Sequence, residues 1–401
     1  MTAGWGAEAD NPDRRFPALD AVRAIGALLV VLTHVAFNTG LIEGLWGAVL
    51  SRADFGVALF FVLSGFLLSR PMFMARAIGQ RIPSVRHYFW KRALRILPIY
   101  WVTVVVVMTC DSDNHGADWR QWLSNLTLTQ IYRQTTPSSS LTQMWSLCTE
   151  VAFYIALPVL VLLLCGRRGF PIRRVLTGTA LMITIGLVWA ALVPVIVGTR
   201  YQAGQGLLET LPWFGVGMTF AALSAYERVT PGATRLNELA RDLTAWWVMA
   251  FALFGVACSD LAGPRLLTLP SSWDGVFKYG LYAASAGCFI FPLVFGPELE
   301  GRARSVLAGR IPTALGEISY GIFCIHMFVL VVGMRILGLE IFGGHFLPVL
   351  AMVVVITIVL ALLSYRFLEL PFLRLKNRGP FVPKRPAIGE TDAAKATSAR
   401  V

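Results

Sequence analysis

The stretch ALDAVRAIGALLVVLTHVAFN, residues 18–38, decides how the whole chain is read. A helix crosses a bilayer in about 20 apolar residues, and this stretch is long enough. It also holds Arg23 and His34. Ionisable groups in such a segment are costly, so they mark function. Reading outward, apolar stretches recur at about 52–70, 95–110, 146–165, 174–198, 205–225, 243–261, 276–296, 312–337 and 347–370, ten in all. The second and third are short between charges, so their ends must snorkel. Composition agrees. Of 401 residues, 56% are hydrophobic and 14% charged, against roughly 45–50% and 25% in soluble domains. So little charge cannot cover a soluble surface, which excludes soluble domains, a disordered chain and a secreted disulfide scaffold. The expected fold is all-α: a polytopic membrane bundle of about ten transmembrane helices. The first stretch shows no clear cleavage site, so it reads as a span and not as a signal peptide.

Charge orients the spans. The net charge is +12, from 35 Lys+Arg against 23 Asp+Glu. In a soluble protein that excess would suggest nucleic acid; here it follows the positive-inside rule. With the N-terminus cytoplasmic, 27 of the 35 basic residues fall on inside segments, five on outside loops and three at span edges. Both termini are therefore expected in the cytoplasm and the chain in the cytoplasmic membrane. Residues 1–373 read as one transmembrane domain, and 374–401 as a disordered polar tail. The longest outside segment, about 111–145, carries Asp111, Asp113, Asp118 and the turn run Thr135 to Ser140; it reads as an interfacial loop or re-entrant cap. The six cysteines form no CxxC or CxxH set, so no metal site is expected. Cys110 and Cys148 fall near one face, where one disulfide has room to form. No internal repeat is visible.

Depth singles out three residues. His34 lies about 16 Å beyond Arg23 along a helix rising 1.5 Å per residue, in the outer half. His326, about 21 Å into the ninth span, reaches a similar layer. Glu150, near the outer start of the fourth span, is counted into it too. An imidazole beside a carboxylate in low dielectric is a general-base arrangement. Glu209 and Asp54 face the same side but read as interfacial, and His87 and His115 as solvated loop residues. On the inner side, Arg92 and Arg95 open the third span. With Arg23 they could form a cationic mouth for a phosphorylated ligand, or serve only as positive-inside anchors.

These residues also carry a resemblance. Arg15-Phe16-Pro17-Ala18-Leu19-Asp20-Ala21-Val22-Arg23, with His34 after ten intervening residues, resembles the opening signature of the membrane acyltransferase-3 family. Phe60-Phe61-Val62-Leu63-Ser64-Gly65-Phe66-Leu67 resembles its second-helix motif, Arg92 through Trp101 its basic motif, and Trp145 through Glu150 its Trp-Ser-Leu…Glu motif. Ser319 through His326 and Tyr365 through Phe372 resemble its closing motifs. The resemblance implies a ten-helix enzyme moving an acyl group, commonly acetyl, from acyl-CoA to a hydroxyl. The acceptor it implies is a carbohydrate, glycolipid or macrolide-type metabolite. It makes His34 the catalytic histidine, Glu150 an essential acidic partner, and Arg23, Arg92 and Arg95 the donor contacts. In this reading His34 acts as base or as acyl carrier, Glu150 orients its ring, and His326 assists. The rival reading is a transporter or exporter of a glycan or lipid, using the same His and Glu as a proton relay.

Overall fold

The computed structural model describes residues 16–133, 138–167, 169–196, 206–264, 271–297 and 301–378. Arg14, Arg15, Thr135 to Pro137 and the tail beyond 378 lie outside the described residues. Ten long helices occur among the described residues, one for each expected span: α1 Pro17–Thr39, α2 Phe55–Ala77, α3 Val85–Cys110, α4 Met144–Cys165, α5 Ile172–Ile196, α6 Leu207–Val229, α7 Leu243–Ala257, α8 Ser272–Phe295, α9 Arg310–Ile336 and α10 Phe346–Ser364. Local chemistry sets their ends. Pro17 opens α1, where a missing N–H costs nothing, and Gly40 closes it at φ 79°, its N–H turned back to Ala36 and Phe37. Ser271 and Asp274 make a capping box at the start of α8. Eight helical segments are long and apolar enough to cross a membrane. The two short of that mark are α7, with 15 residues, and α6, which carries Glu209, Glu227 and Arg228.

Neighbour pairs fix the direction of each helix. Thr33 donates to the Ser51 carbonyl and Phe16 meets Phe66, so α1 and α2 are antiparallel. Phe61 stacks on Phe214 while Arg70 reaches Ser224, so α2 and α6 are parallel. His34 meets His326 and the Asp20 backbone lies against Gly316, so α1 and α9 are parallel. Trp246 packs on Phe291 and Ser285 donates to Ala250, which sets α7 against α8. The same test makes α3 antiparallel to α4, α4 parallel to α2, α5 antiparallel to α6, α6 parallel to α8 and α9 antiparallel to α10, so odd-numbered helices run one way and even-numbered ones the other. The start of α1 and the end of α10 share one end of the bundle, in keeping with an all-α polytopic fold. Helices approach closely where glycines cross. A Cβ on Gly56 would overlap the Gly26 carbonyl, and one on Gly65 the Phe214 carbonyl. In lipid, where apolar burial does not drive association, such backbone contact holds helices together.

Three expectations shift. The third helix begins at Val85, ten residues before the expected 95. Lys and Arg are good helix formers, so the basic run extends the helix instead of preceding it and carries His87 with it. At the chain's end, a helix over Leu370–Arg374 and a turn over Leu375–Asn377 continue into the expected tail, and Trp90 donates to the Leu375 carbonyl. All six cysteines are free, Cys110 exposed and Cys148 buried, so the disulfide does not form.

The segment between α3 and α4 is folded over its described residues. It holds a helix over Trp119–Leu126, to which Tyr100 and Trp101 donate at the Asn125 and Leu126 carbonyls. Arg335 bonds Asp111 and Asp113, both at 2.9 Å, and Ser140 donates to Asp111 at 2.5 Å. Burial pushes the Asp111 carboxyl up. The bonds from Ser140 and Arg335 outweigh it and hold the group below the usual carboxylate range. A depressed folded value means the contribution is full above the ordinary Asp range and is lost as pH falls through the lower, folded value.

Arg335→Ala is therefore expected to speed proteolytic cleavage within 111–133 about tenfold. Wild-type protection should be flat from pH 8 to 5 and fail only below about pH 4; protection already lost at pH 6 would contradict this. Gly56→Val should cost at least about 2 kcal/mol, read as thermal melting in detergent, because backbone and not a flexible side chain must yield.

Candidate active site

The two histidines meet. His34 is half-buried on α1 and His326 fully buried on α9. His326 Nε2 lies 3.2 Å from His34 Nδ1. Their protons follow from their other partners. His326 Nδ1 is 2.8 Å from the Phe323 carbonyl and 3.1 Å from that of Ile322. Carbonyls only accept, so His326 Nδ1 carries the proton and Nε2 the lone pair. His34 Nδ1 is 2.8 Å from the Val30 carbonyl, so it too carries a proton, shared between Val30 and His326 Nε2. That leaves His34 Nε2 with a free lone pair and no hydrogen bond among the described residues. A neutral imidazole fixed in this tautomer can take a proton from a ligand hydroxyl.

Glu150 is placed differently from the expectation. No hydrogen bond links it to His34 among the described residues. Instead its Oε1 accepts from Ser64 and, at 2.8 Å, from Tyr154. The start of α4 explains this. Gln143 donates to the Cys324 carbonyl, so the chain has already entered the bundle to the level of the histidines before α4 begins. Glu150, seven residues on, is about 10 Å further along. It thus joins the arginines and not the imidazoles.

A cavity of about 100 Å³ gathers this second group. Arg23, Arg92, Arg95 and Glu150 line it, with Ser64, Tyr154 and Tyr320. Arg23 pairs with Asp20 at 2.8 Å. Arg92 and Arg95 make no hydrogen bond among the described residues, and the buried Arg92 Nε is unsatisfied. The hydroxyls are already committed: Ser64 and Tyr154 to Glu150, Ser146 to Gln143, Ser319 to Gly316 and Tyr320 to Ile96. The donors left for a ligand are guanidinium groups, which suits an anion such as phosphate. Phe60 and Phe323 also line the cavity, and the Phe323 ring stands 6.2 Å from that of His326. The histidine pair sits behind these rings.

The structure thus forms two clusters, Arg23–Arg92–Arg95–Glu150 and His34–His326. Sequence reading missed the partners. Ser64 lay inside a quoted motif and Tyr154 one helical turn from Glu150, a visible (i, i+4) signal. Asp54, set aside as interfacial, pairs with Lys278 at 2.6 Å, a partner 224 residues away that no local pattern reveals.

Comparison with known proteins follows this geometry. A family model described as an acyltransferase domain matches residues 16–366. Acyltransferase MdmB of Streptomyces mycarofaciens is 24% identical over 96% of this chain and 98% of its own length. The candidate peptidoglycan O-acetyltransferase YrhL of Bacillus subtilis (strain 168) is 25% identical over 89% of this chain. O-acetyltransferase OatA of Staphylococcus aureus (strain NCTC 8325 / PS 47) is 22% identical over 93%. The chain spans only 55% and 60% of the length of these last two. No solved structure matches. The matched region takes in both side-chain clusters and all ten helices entire, and the chain belongs to the acyltransferase-3 family of membrane O-acyltransferases.

Proposed function

We propose that the protein transfers an acyl group, acetyl foremost, from acyl-CoA to a hydroxyl of a carbohydrate, glycolipid or macrolide-type acceptor in the cytoplasmic membrane, with both ends of the bundle domain cytoplasmic. The 27-to-5 split of basic residues supports that orientation. One observation carries the reading: a cationic cavity with unspent guanidinium donors lies next to an imidazole whose Nε2 is free. Relatives named as O-acetyltransferases support the choice of acetyl. No metal takes part in this reading.

The donor's phosphates meet Arg23, Arg92 and Arg95. Its pantetheine arm, roughly 15–20 Å long, matches the rise of about 16 Å from Arg23 to His34. Glu150 Oε2, without a hydrogen-bond partner among the described residues, accepts from an N–H or O–H of that arm, while Ser64 and Tyr154 hold Oε1. The thioester then passes Phe60 and Phe323 to reach His34. The acceptor oxygen bonds to the thioester carbonyl carbon as its proton moves to His34 Nε2. The C–S bond breaks, and the imidazolium returns the proton to the departing thiolate. His326 is a positioning residue: its lone pair keeps the proton on His34 Nδ1 and shares the charge that forms.

The direct test is turnover of radiolabelled acetyl-CoA by the purified protein in detergent. His34→Ala should lower donor turnover 10²–10⁴-fold. His326→Leu should lower it about tenfold to a hundredfold, with partial rescue in His326→Gln, whose amide oxygen can accept from Nδ1; equal loss in Leu and Gln variants would remove the positioning role. Arg92→Ala and Arg95→Ala should each raise the donor KM about tenfold with kcat less affected, since a charge-assisted contact is worth roughly 1.5–3 kcal/mol. An unchanged KM in both would sink the phosphate assignment.

A further inference from the structure

A third polar cluster lies at the level of the histidines, away from the arginine cavity. Asp54 sits at the head of α2, between Ser51, which accepts from Thr33, and Gly56, which abuts Gly26 and Val30. It is therefore beside the last turns of α1 before His34, and its charge reaches the His34 ring. Lys278 Nζ bonds Asp54 Oδ2 at 2.6 Å and the Tyr282 hydroxyl donates to Oδ1 at 2.5 Å. Glu209 lies close by, hydrogen-bonded to Tyr279 and within electrostatic reach of Lys278. The Tyr279 ring stacks on Trp213, centroids 4.8 Å apart.

This arrangement has more than helix packing needs. The Asp54–Lys278 pair alone would tie α2 to α8. Glu209 adds a second carboxyl group beside the Lys278 ammonium, while the neighbouring Arg52 guanidinium donates to the Ala262 and Gly263 carbonyls. Glu209 is 7% exposed, and its Oε2 is buried without a hydrogen-bond partner among the described residues. A buried acceptor with no donor costs roughly 1–3 kcal/mol, and folded proteins rarely leave one so. The missing donor is supplied if a ligand hydroxyl binds there. A carboxylate acceptor, an ammonium donor and a half-buried tyrosine ring together match a sugar ring, which offers hydroxyls at its edge and C–H groups on its face.

We propose that the Asp54–Lys278–Glu209–Tyr279 cluster is the acceptor site, and that it binds a polyhydroxylated, sugar-like acceptor with one hydroxyl directed at His34 Nε2. This rests on the acyl-transfer reading above. It gives donor and acceptor separate approaches: the arginine cavity on one side of the histidine pair, this cluster on the other.

The test uses the full-length protein in detergent with acetyl-CoA as donor and tri-N-acetylglucosamine as acceptor probe. Glu209→Gln keeps the shape and replaces one carboxyl oxygen by an amide nitrogen; Lys278→Met is the second variant, and thermal melting shows that each folds. The expected result is a rise of tenfold or more in KM for the trisaccharide, with donor KM moved less than twofold. Trisaccharide KM unchanged in both variants overturns the site. Donor KM raised in parallel also overturns it, since the cluster then acts on the donor or on packing at large. A wild-type protein that hydrolyses acetyl-CoA but neither acylates the trisaccharide nor is inhibited by it overturns the sugar assignment. A wild-type protein that never turns over acetyl-CoA fails at the donor reading, before any variant is made.

Discussion

The structure depends on where one proton sits. His34 Nδ1 gives its proton toward the Val30 carbonyl and His326, and His326 can accept because its own proton is tied to the carbonyls of α9. A chain of fixed donors thus ends in one free lone pair. Polar groups so far from water are affordable only when each has a partner, and both helix backbones supply them. The parallel run of α1 and α9 is what brings the rings together.

Around that pair the bundle separates charge by depth. The guanidinium groups of Arg23, Arg92 and Arg95 stay with Glu150 near one end, and Asp54, Lys278 and Glu209 cluster toward the other. Phe60 and Phe323 stand between the arginine cavity and the imidazoles. The division lets one chain hold an anion and still keep a neutral base, because a guanidinium beside the imidazole would work against the imidazolium that acyl transfer needs.

Much of this was legible in sequence. Ten apolar stretches became ten helices, and the depth count from Arg23 placed His34 level with His326. The count failed for Glu150 because it assumed that α4 starts at the membrane face. The segment before it enters the bundle first, held by Gln143 on Cys324. Depth along a helix follows from rise per residue, whereas the point of entry follows from packing, which one sequence does not display. The Asp54–Lys278 pair stayed hidden for the same reason. The early start of α3 was within reach, since nothing between Val85 and Arg95 would stop a helix.

The parallel pairing of α1 with α9 also bears on synthesis. The first histidine emerges near the beginning of translation and its partner only after 292 more residues. Until α9 inserts, the polar edge of α1 has no proton acceptor opposite it and must be sheltered by water, lipid headgroups or the insertion machinery. Contacts so distant in sequence close late and carry a large entropic cost. The nascent chain therefore holds a base without its companion for most of its time on the ribosome, and competence arrives in one step, with the ninth helix.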